Sequence, residues 1–149
     1  MSALSDRAEI SELLDRYLTD FDTLLTQPFD HVPRDDAWYR RLFTEDLRLT
    51  FPVGGHQGIA GLAEFQLAAK ANWARTQHIS SNHVVDLDGD KAALRAQLLV
   101  THVHPVELSR PHFTAGSRIQ ALAVRAQEGW RLDELTISLI WTSGAPPVR

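Results

Sequence analysis

The second half of the sequence constrains the fold most. Four strand-length segments follow one another there, with no interval long enough for a crossover helix. Segments 78–87, 91–104, 113–125 and 130–141 are separated by Asp88-Gly89, by a loop bounded by Pro105 and Pro111, and by Gln127-Glu128-Gly129. Parallel neighbours need a crossover of a dozen or more residues, so strands joined this tightly run antiparallel. Their apolar alternation is imperfect, as expected of a sheet covered on one face and partly on the other.

The first half is helical. Ile10, Leu13, Leu14, Tyr17, Leu18, Phe21, Leu24 and Leu25 recur at three- and four-residue spacing, which predicts an amphipathic helix. Asp6, three residues before Glu9, is its expected N-cap. Asp22 falls just outside the apolar stripe, where a helix side chain reaches the rim of a core. Residues 26–36 hold Pro28 and Pro33 and read as a loop. Asp35 or Asp36 then caps a short helix carrying Trp38, Tyr39, Leu42 and Phe43. Alternation over 46–51 predicts a strand, ended by Pro52 and Gly54-Gly55. Residues 55–61 (Gly-His-Gln-Gly-Ile-Ala-Gly) read as a turn opening a third helix over 58–75, through Leu62, Phe65, Ala69 and Trp73. Helices followed by antiparallel strands make an α+β fold with helices on one face of a sheet. Long strands curl, and a curled sheet closed by helices forms a cone around a cavity.

Composition narrows the function. A chain of 149 residues is one domain's worth, spanning 1–149. It has no cysteine, which excludes disulfides, thiolate nucleophiles and zinc fingers and makes the cytoplasm the expected location. A net charge of −4 argues against nucleic acid as a partner. No apolar run is long enough to span a bilayer, and the acidic N-terminal stretch is the wrong chemistry for a signal peptide. Neither a P-loop nor a dinucleotide fingerprint occurs, so no nucleotide cofactor is expected.

Seven histidines supply the groups that titrate near neutral pH. His31, His56 and His112 fall in loops and read as solvated. His102 and His104 share one strand face, a conceivable metal pair with His78 or His83, although no carboxylate motif completes the set. His78 opens the first long strand on the face of Ser80, Asn82 and Val84, a poor core surface unless it lines a polar pocket. Asp22 sits at the edge of the helix that should cover that face. A carboxylate bonded to one ring nitrogen fixes the tautomer and raises the basicity of the other, which suits proton abstraction near pH 7.

Residues 6–17 with Phe21-Asp22, then Leu42-Phe43-Thr44-Glu45-Asp46, Gly58-Ile59-Ala60-Gly61, Thr76-Gln77-His78-Ile79-Ser80-Ser81-Asn82, Asp88-Gly89-Asp90 and Gly129-Trp130-Arg131-Leu132, resemble in order the SnoaL-like proteins of the nuclear transport factor two-like superfamily. The resemblance implies a cone-shaped α+β barrel: three helices against a strongly curved, mainly antiparallel sheet, often dimeric through the sheet's outer face. It includes scytalone dehydratase, lindane dehydrochlorinase, ketosteroid isomerase and polyketide cyclases, and members without catalysis. In the dehydratase and dehydrochlorinase branch an Asp ending the first helix pairs with a His starting a strand. Asp22 and His78 stand at those places, with Asn82 at the family's spacing. Phe21 stands where the dehydratases have Tyr, and His102 is nearest to their second histidine, with Gln97 as the alternative.

The expected function is therefore cofactor-independent acid–base catalysis on a small hydrophobic substrate, as a lyase, isomerase or cyclase. Asp22 and His78 form the dyad, and Tyr17, Phe21, Trp38, Phe43, Phe51, Phe65, Asn82 and His102 contact the substrate. If the turns pair the strands symmetrically, His102 faces away from His78, and a single bulge would reverse that. The alternative is a ligand-binding or interaction module on the same fold.

Overall fold

Ser2 opens the first helix. Its hydroxyl accepts the Ser5 N–H, and α1 then runs over Ala3–Thr23 with Ile10, Leu13, Leu14, Tyr17 and Leu18 buried. The structure is a computed structural model that describes residues 2–26 and 34–148. Asp6, expected as the N-cap, instead points inward from the first turn. It accepts the Trp130 indole N–H at 3.1 Å and pairs with Arg125 at 3.0 Å. Glu9, the other half of the expected capping box, accepts the Trp130 backbone N–H at 2.7 Å. A buried donor without a partner costs more than a frayed helix end, so the long-range partner takes both carboxylates.

The bonds from Arg125 and Trp130 hold the Asp6 carboxyl below its ordinary value of 3.8. A carboxyl depressed in the folded state adds stability that is complete above its ordinary value and is lost as pH falls through the folded value. Asp6→Asn should therefore melt below the parent near neutral pH and lose less of its Tm as pH falls below about 4. Parallel Tm-against-pH curves for the two proteins would remove Asp6 from acid unfolding.

After α1 come α2 (Asp36–Tyr39), β1 (Phe43–Phe51), β2 (Gly54–Gln57), α3 (Leu62–Lys70), β3 (Arg75–Asp88), β4 (Lys91–Val103), β5 (Phe113–Ala126) and β6 (Gly129–Gly144). Asp35 caps α2 by accepting the Trp38 N–H. The six strands form one open mixed sheet in the order β2-β1-β6-β5-β4-β3; β1 runs parallel to β6 and every other pair is antiparallel. α1 lies against β3 and β6. Leu94, Ile119, Leu132 and Leu135 meet Ile10, Leu14 and Phe43 in the core beneath it.

Two expectations change. The glycine run after Pro52 is strand β2 rather than a turn. A Cβ on Gly55 would sit 2.4 Å from the Leu49 carbonyl oxygen, so only glycine lets β2 close onto β1. The third helix is Leu62–Lys70, shorter than 58–75, because Gly61 enters with φ +79 and β3 has already begun at Arg75. The expected loop falls largely on 27–33, which with His31 lie outside the described residues. The tail is held as far as Pro146: His104 Nε2 bonds the Ala145 carbonyl at 2.7 Å and Arg110 bonds that of Pro146 at 3.0 Å. No helix among the described residues is long and apolar enough to cross a membrane.

Bulges bend the sheet into the cone. On β6, Trp141 pairs with Gly116 but Leu139 with Ser117, which leaves Ile140 extra; a second shift follows between Leu122 and Ala123 of β5. On β3 the register shifts between Ser81 and Val84, where Asn82 adopts φ +57. Asparagine enters this left-handed region more readily than most residues, and a β-branched residue enters it poorly. Asn82→Gly should keep the parent's stability, whereas Asn82→Val should cost about 1–2 kcal/mol in urea unfolding. Equal midpoints for Gly and Val would show that the backbone there is not held left-handed.

Candidate active site

The last turn of α1 carries Asp22 to the start of β3, and its carboxylate is met there by three donors. The His78 ring gives Nδ1–H to Oδ1 at 2.6 Å, the His78 backbone N–H reaches Oδ2 at 2.8 Å, and the Thr76 hydroxyl reaches Oδ1 at 2.9 Å. An ionised carboxylate only accepts, so this geometry assigns the proton to Nδ1 and leaves Nε2 with a lone pair. Burial pushes the Asp22 carboxyl up. The ring N–H of His78 and its electrostatic pull, the backbone N–H and the Thr76 hydroxyl together outweigh burial, and the carboxyl lies below its ordinary value. The Phe21 ring meets the imidazole edge-on, 5.4 Å between centroids. The His78 side chain keeps 11% of its surface exposed, and no described group bonds its Nε2.

The bulge at Asn82 decides what else stands here. From the Asp88–Lys91 turn the pairing runs evenly to Val84 opposite Arg95, and an unbroken ladder would set Gln77 opposite His102. One extra residue in β3 instead sets Thr76 opposite His102 and His78 opposite Val100. Paired residues share a face, so His102 faces the same side as His78, with 6.5 Å between ring centroids. Its Nδ1 donates to the Phe113 carbonyl at 2.9 Å. Burial moves the His102 pKa below its ordinary value, only partly opposed by that carbonyl. Trp73 lies 4.5 Å from His102 and 4.9 Å from His104, with Phe113 stacked beyond it. Phe21 and His102 thus flank the His78 ring, and Trp73 and Phe113 pack behind His102.

The bulge also redistributes β3. The face of His78 and Ser80 continues through His83 and Val85 rather than Asn82 and Val84. Asn82, expected beside the substrate, is exposed and accepts the Ser81 hydroxyl. Tyr17 is 4% exposed and gives its hydroxyl to Gln66 at 3.1 Å, so that phenol does not point to the dyad. It packs edge-on against Phe43, and both belong to the core, with Trp38, Phe51 and Phe65 packed against it. Of the residues expected to contact substrate, Phe21 and His102 make the described ring contacts with His78. His56, expected to be solvated, bonds the Ala60 carbonyl at 2.9 Å, whereas His112 is exposed as expected. Among the described residues no three His, Cys, Asp or Glu side chains are grouped to hold a metal ion.

A SnoaL-like domain profile matches residues 2–136. The chain belongs to the SnoaL-like family. No curated protein sequence matches it, but solved structures share its fold at low identity. A candidate scytalone dehydratase from Novosphingobium aromaticivorans is 19% identical, with a TM-score of 0.78 over 98% of this chain and 91% of that one. A hexachlorocyclohexane dehydrochlorinase is 16% identical, with a TM-score of 0.78 over 97% of this chain and 92% of its own. A nuclear transport factor two-like superfamily protein from Salmonella enterica is 17% identical, with a TM-score of 0.76 over 94% of each chain.

Two residues of this SnoaL-like site escaped the sequence reading. Thr76 was visible only as part of a motif, and Lys70 fell unremarked inside the helix expected over 58–75. In the structure α3 buries Leu62, Gln66 and Lys70, so its inner face is one apolar and two polar side chains. Gln66 holds Tyr17. Lys70 reaches the end of α1, where its Nζ donates to the carbonyls of Phe21 at 3.1 Å and Asp22 at 2.9 Å, and to the Thr76 hydroxyl at 2.9 Å. The four-residue spacing of the three was the available signal.

Proposed function

We propose that this SnoaL-like protein is a cofactor-independent acid–base enzyme acting on a small hydrophobic molecule, as a dehydratase-type lyase or an isomerase or cyclase. The observation that carries this reading is the 2.6 Å bond from the His78 Nδ1–H to Asp22, with Nε2 of the same ring left for a substrate. His78 Nε2 takes a proton from a carbon next to a carbonyl, and the C–H electron pair moves toward the carbonyl oxygen. The imidazolium, held by ionised Asp22, then gives that proton to a hydroxyl on the neighbouring carbon, which leaves as water as the double bond forms. In an isomerase or cyclase the proton or the carbanion goes elsewhere on the same molecule. The folds named for scytalone dehydratase and for a dehydrochlorinase support elimination as the reaction class.

The experiment is proton exchange in D2O, followed by NMR, on a panel of small aromatic ketones and β-hydroxy ketones. Deuterium should enter next to the carbonyl, with water lost from the hydroxy ketones, in the parent and not in His78→Ala. Saturable binding with neither exchange nor elimination would favour the second reading, a ligand-binding module. That reading draws on Tyr17 and Phe43 packing in the core, with the Tyr17 hydroxyl already given to Gln66.

The reading extends to assembly. Ile79, Leu99, Ile140 and Trp141 are 40–55% exposed and line one depression on the uncovered sheet face. That apolar surface supports a homodimer through this face, and sedimentation at a monomer's mass would refute it. The cysteine-free sequence supports a cytoplasmic location.

A further inference from the structure

Lys70 is 1% exposed, and an ammonium so deeply buried is costly unless its surroundings answer it. Its acceptors are not scattered. The carbonyls of Phe21 and Asp22 belong to the last turn of α1, which has no basic residue of its own, and the dipole there favours a cation although these carbonyls also take the Leu24 N–H at 3.2 Å and the Thr26 hydroxyl at 3.3 Å. Capping alone would be complete with the two bonds from Lys70 to these carbonyls. The third bond goes to Thr76 Oγ1, and it fixes a direction. A threonine hydroxyl that accepts from an ammonium turns its own O–H elsewhere, and here that O–H is 2.9 Å from Asp22 Oδ1. The same oxygen takes the His78 Nδ1–H. The bonds therefore run in one sense, from Lys70 through Thr76 to Asp22, and each polarises the next.

Resting on the reading of Asp22 and His78 as the working pair, we infer that Lys70 is a positioning residue for the His78 ring, acting through Thr76. It fastens the backbone on either side of the Asp22 side chain and orients the carboxylate so that Oδ1 faces Nδ1–H. Nε2 is then the nitrogen presented to substrate. The ionisable groups facing the ring are Asp22 from α1 and His102 from β4, with Lys70 of α3 behind Asp22. A helix-capping lysine would stabilise the protein without affecting the ring. A positioning lysine sets the tautomer.

The test is 15N-edited NMR of the histidine rings near neutral pH, with the His78 signals assigned by their loss in His78→Gln. The parent should show a downfield, slowly exchanging Nδ1–H and an unprotonated Nε2. In Lys70→Met and in Thr76→Val that Nδ1–H should exchange faster by roughly tenfold or more, on the scale of the activity lost when a partner that orients a functional histidine is removed. Thr76→Ser, which keeps the hydroxyl, should behave like the parent. If Lys70→Met and Thr76→Val lower the Tm but leave the Nδ1–H signal unchanged, Lys70 is a cap only and the inference falls while the dyad stands. If Lys70→Met does not fold, an unchanged signal in Thr76→Val overturns the inference by itself. If the parent shows no bonded Nδ1–H, the dyad reading fails and this inference with it.

Discussion

His78→Ala and Asp22→Asn are each expected to keep the parent's circular dichroism and to lose turnover by roughly 10²–10⁴, the worth of a positioned general base. The two act differently. Alanine removes the base but leaves Asp22 with the Thr76 hydroxyl and the residue 78 N–H, so the carboxylate stays satisfied and the fold is kept. Asparagine keeps the shape and can turn its amide N–H toward Nδ1. The ring then carries its proton on Nε2, the wrong nitrogen for abstraction. Both losses should fall on kcat more than on KM, because neither change removes Phe21 or His102, the rings that flank residue 78. A variant that turned over substrate at the parent's rate would exclude the mechanism. A variant that failed to fold would show that the pair is structural.

Trp130→Ala should destabilise the protein by about 3–5 kcal/mol, read from urea midpoints at constant m-value. Trp130 is fully buried, its indole N–H is bonded to Asp6, and the Arg125 guanidinium lies 4.6 Å over its ring. Truncation leaves a cavity between the start of α1 and the β5–β6 hairpin, and it deprives the Asp6 carboxylate of a donor. Trp130→Phe restores most of the bulk without the N–H and should cost about 1–3 kcal/mol. If the two variants unfolded at the same midpoint, packing would contribute nothing beyond the bond. No loss in either would mean that α1 is anchored elsewhere, with Arg7 on the Val85 carbonyl as the next contact to remove.

The four long strands were legible because tight turns and Gly-containing dipeptides punctuate them, and their boundaries differ from the observed ones by only a few residues. Asp22 and His78 were legible because each sits where its element begins or ends, and the family resemblance joined them. Tyr17 and Phe43 pack in the core, and an aromatic residue at helical or strand spacing looks the same in sequence whether it packs in a core or lines a cavity. Gln66 and Lys70 were passed over because the sequence reading followed the apolar positions of their helix. A buried polar side chain is explained only by its partner, and those partners are Tyr17, 49 residues away, and the carbonyls of Phe21 and Asp22.

By itself, then, the sequence determined the order of elements, the antiparallel run of β3 to β6, and the two ends at which a carboxylate and an imidazole are displayed. These follow from short-range rules of periodicity, turn chemistry and chain reach. Only the tertiary structure decided that one left-handed residue, Asn82, brings His102 to the face of His78, that Asp6 and Glu9 serve a distant hairpin rather than their own helix, and that Lys70 stands buried behind the pair. Each of these depends on which groups meet across the fold. A strand's facing reverses with a single extra residue, and a buried charge is tolerated only where partners distant in sequence converge on it.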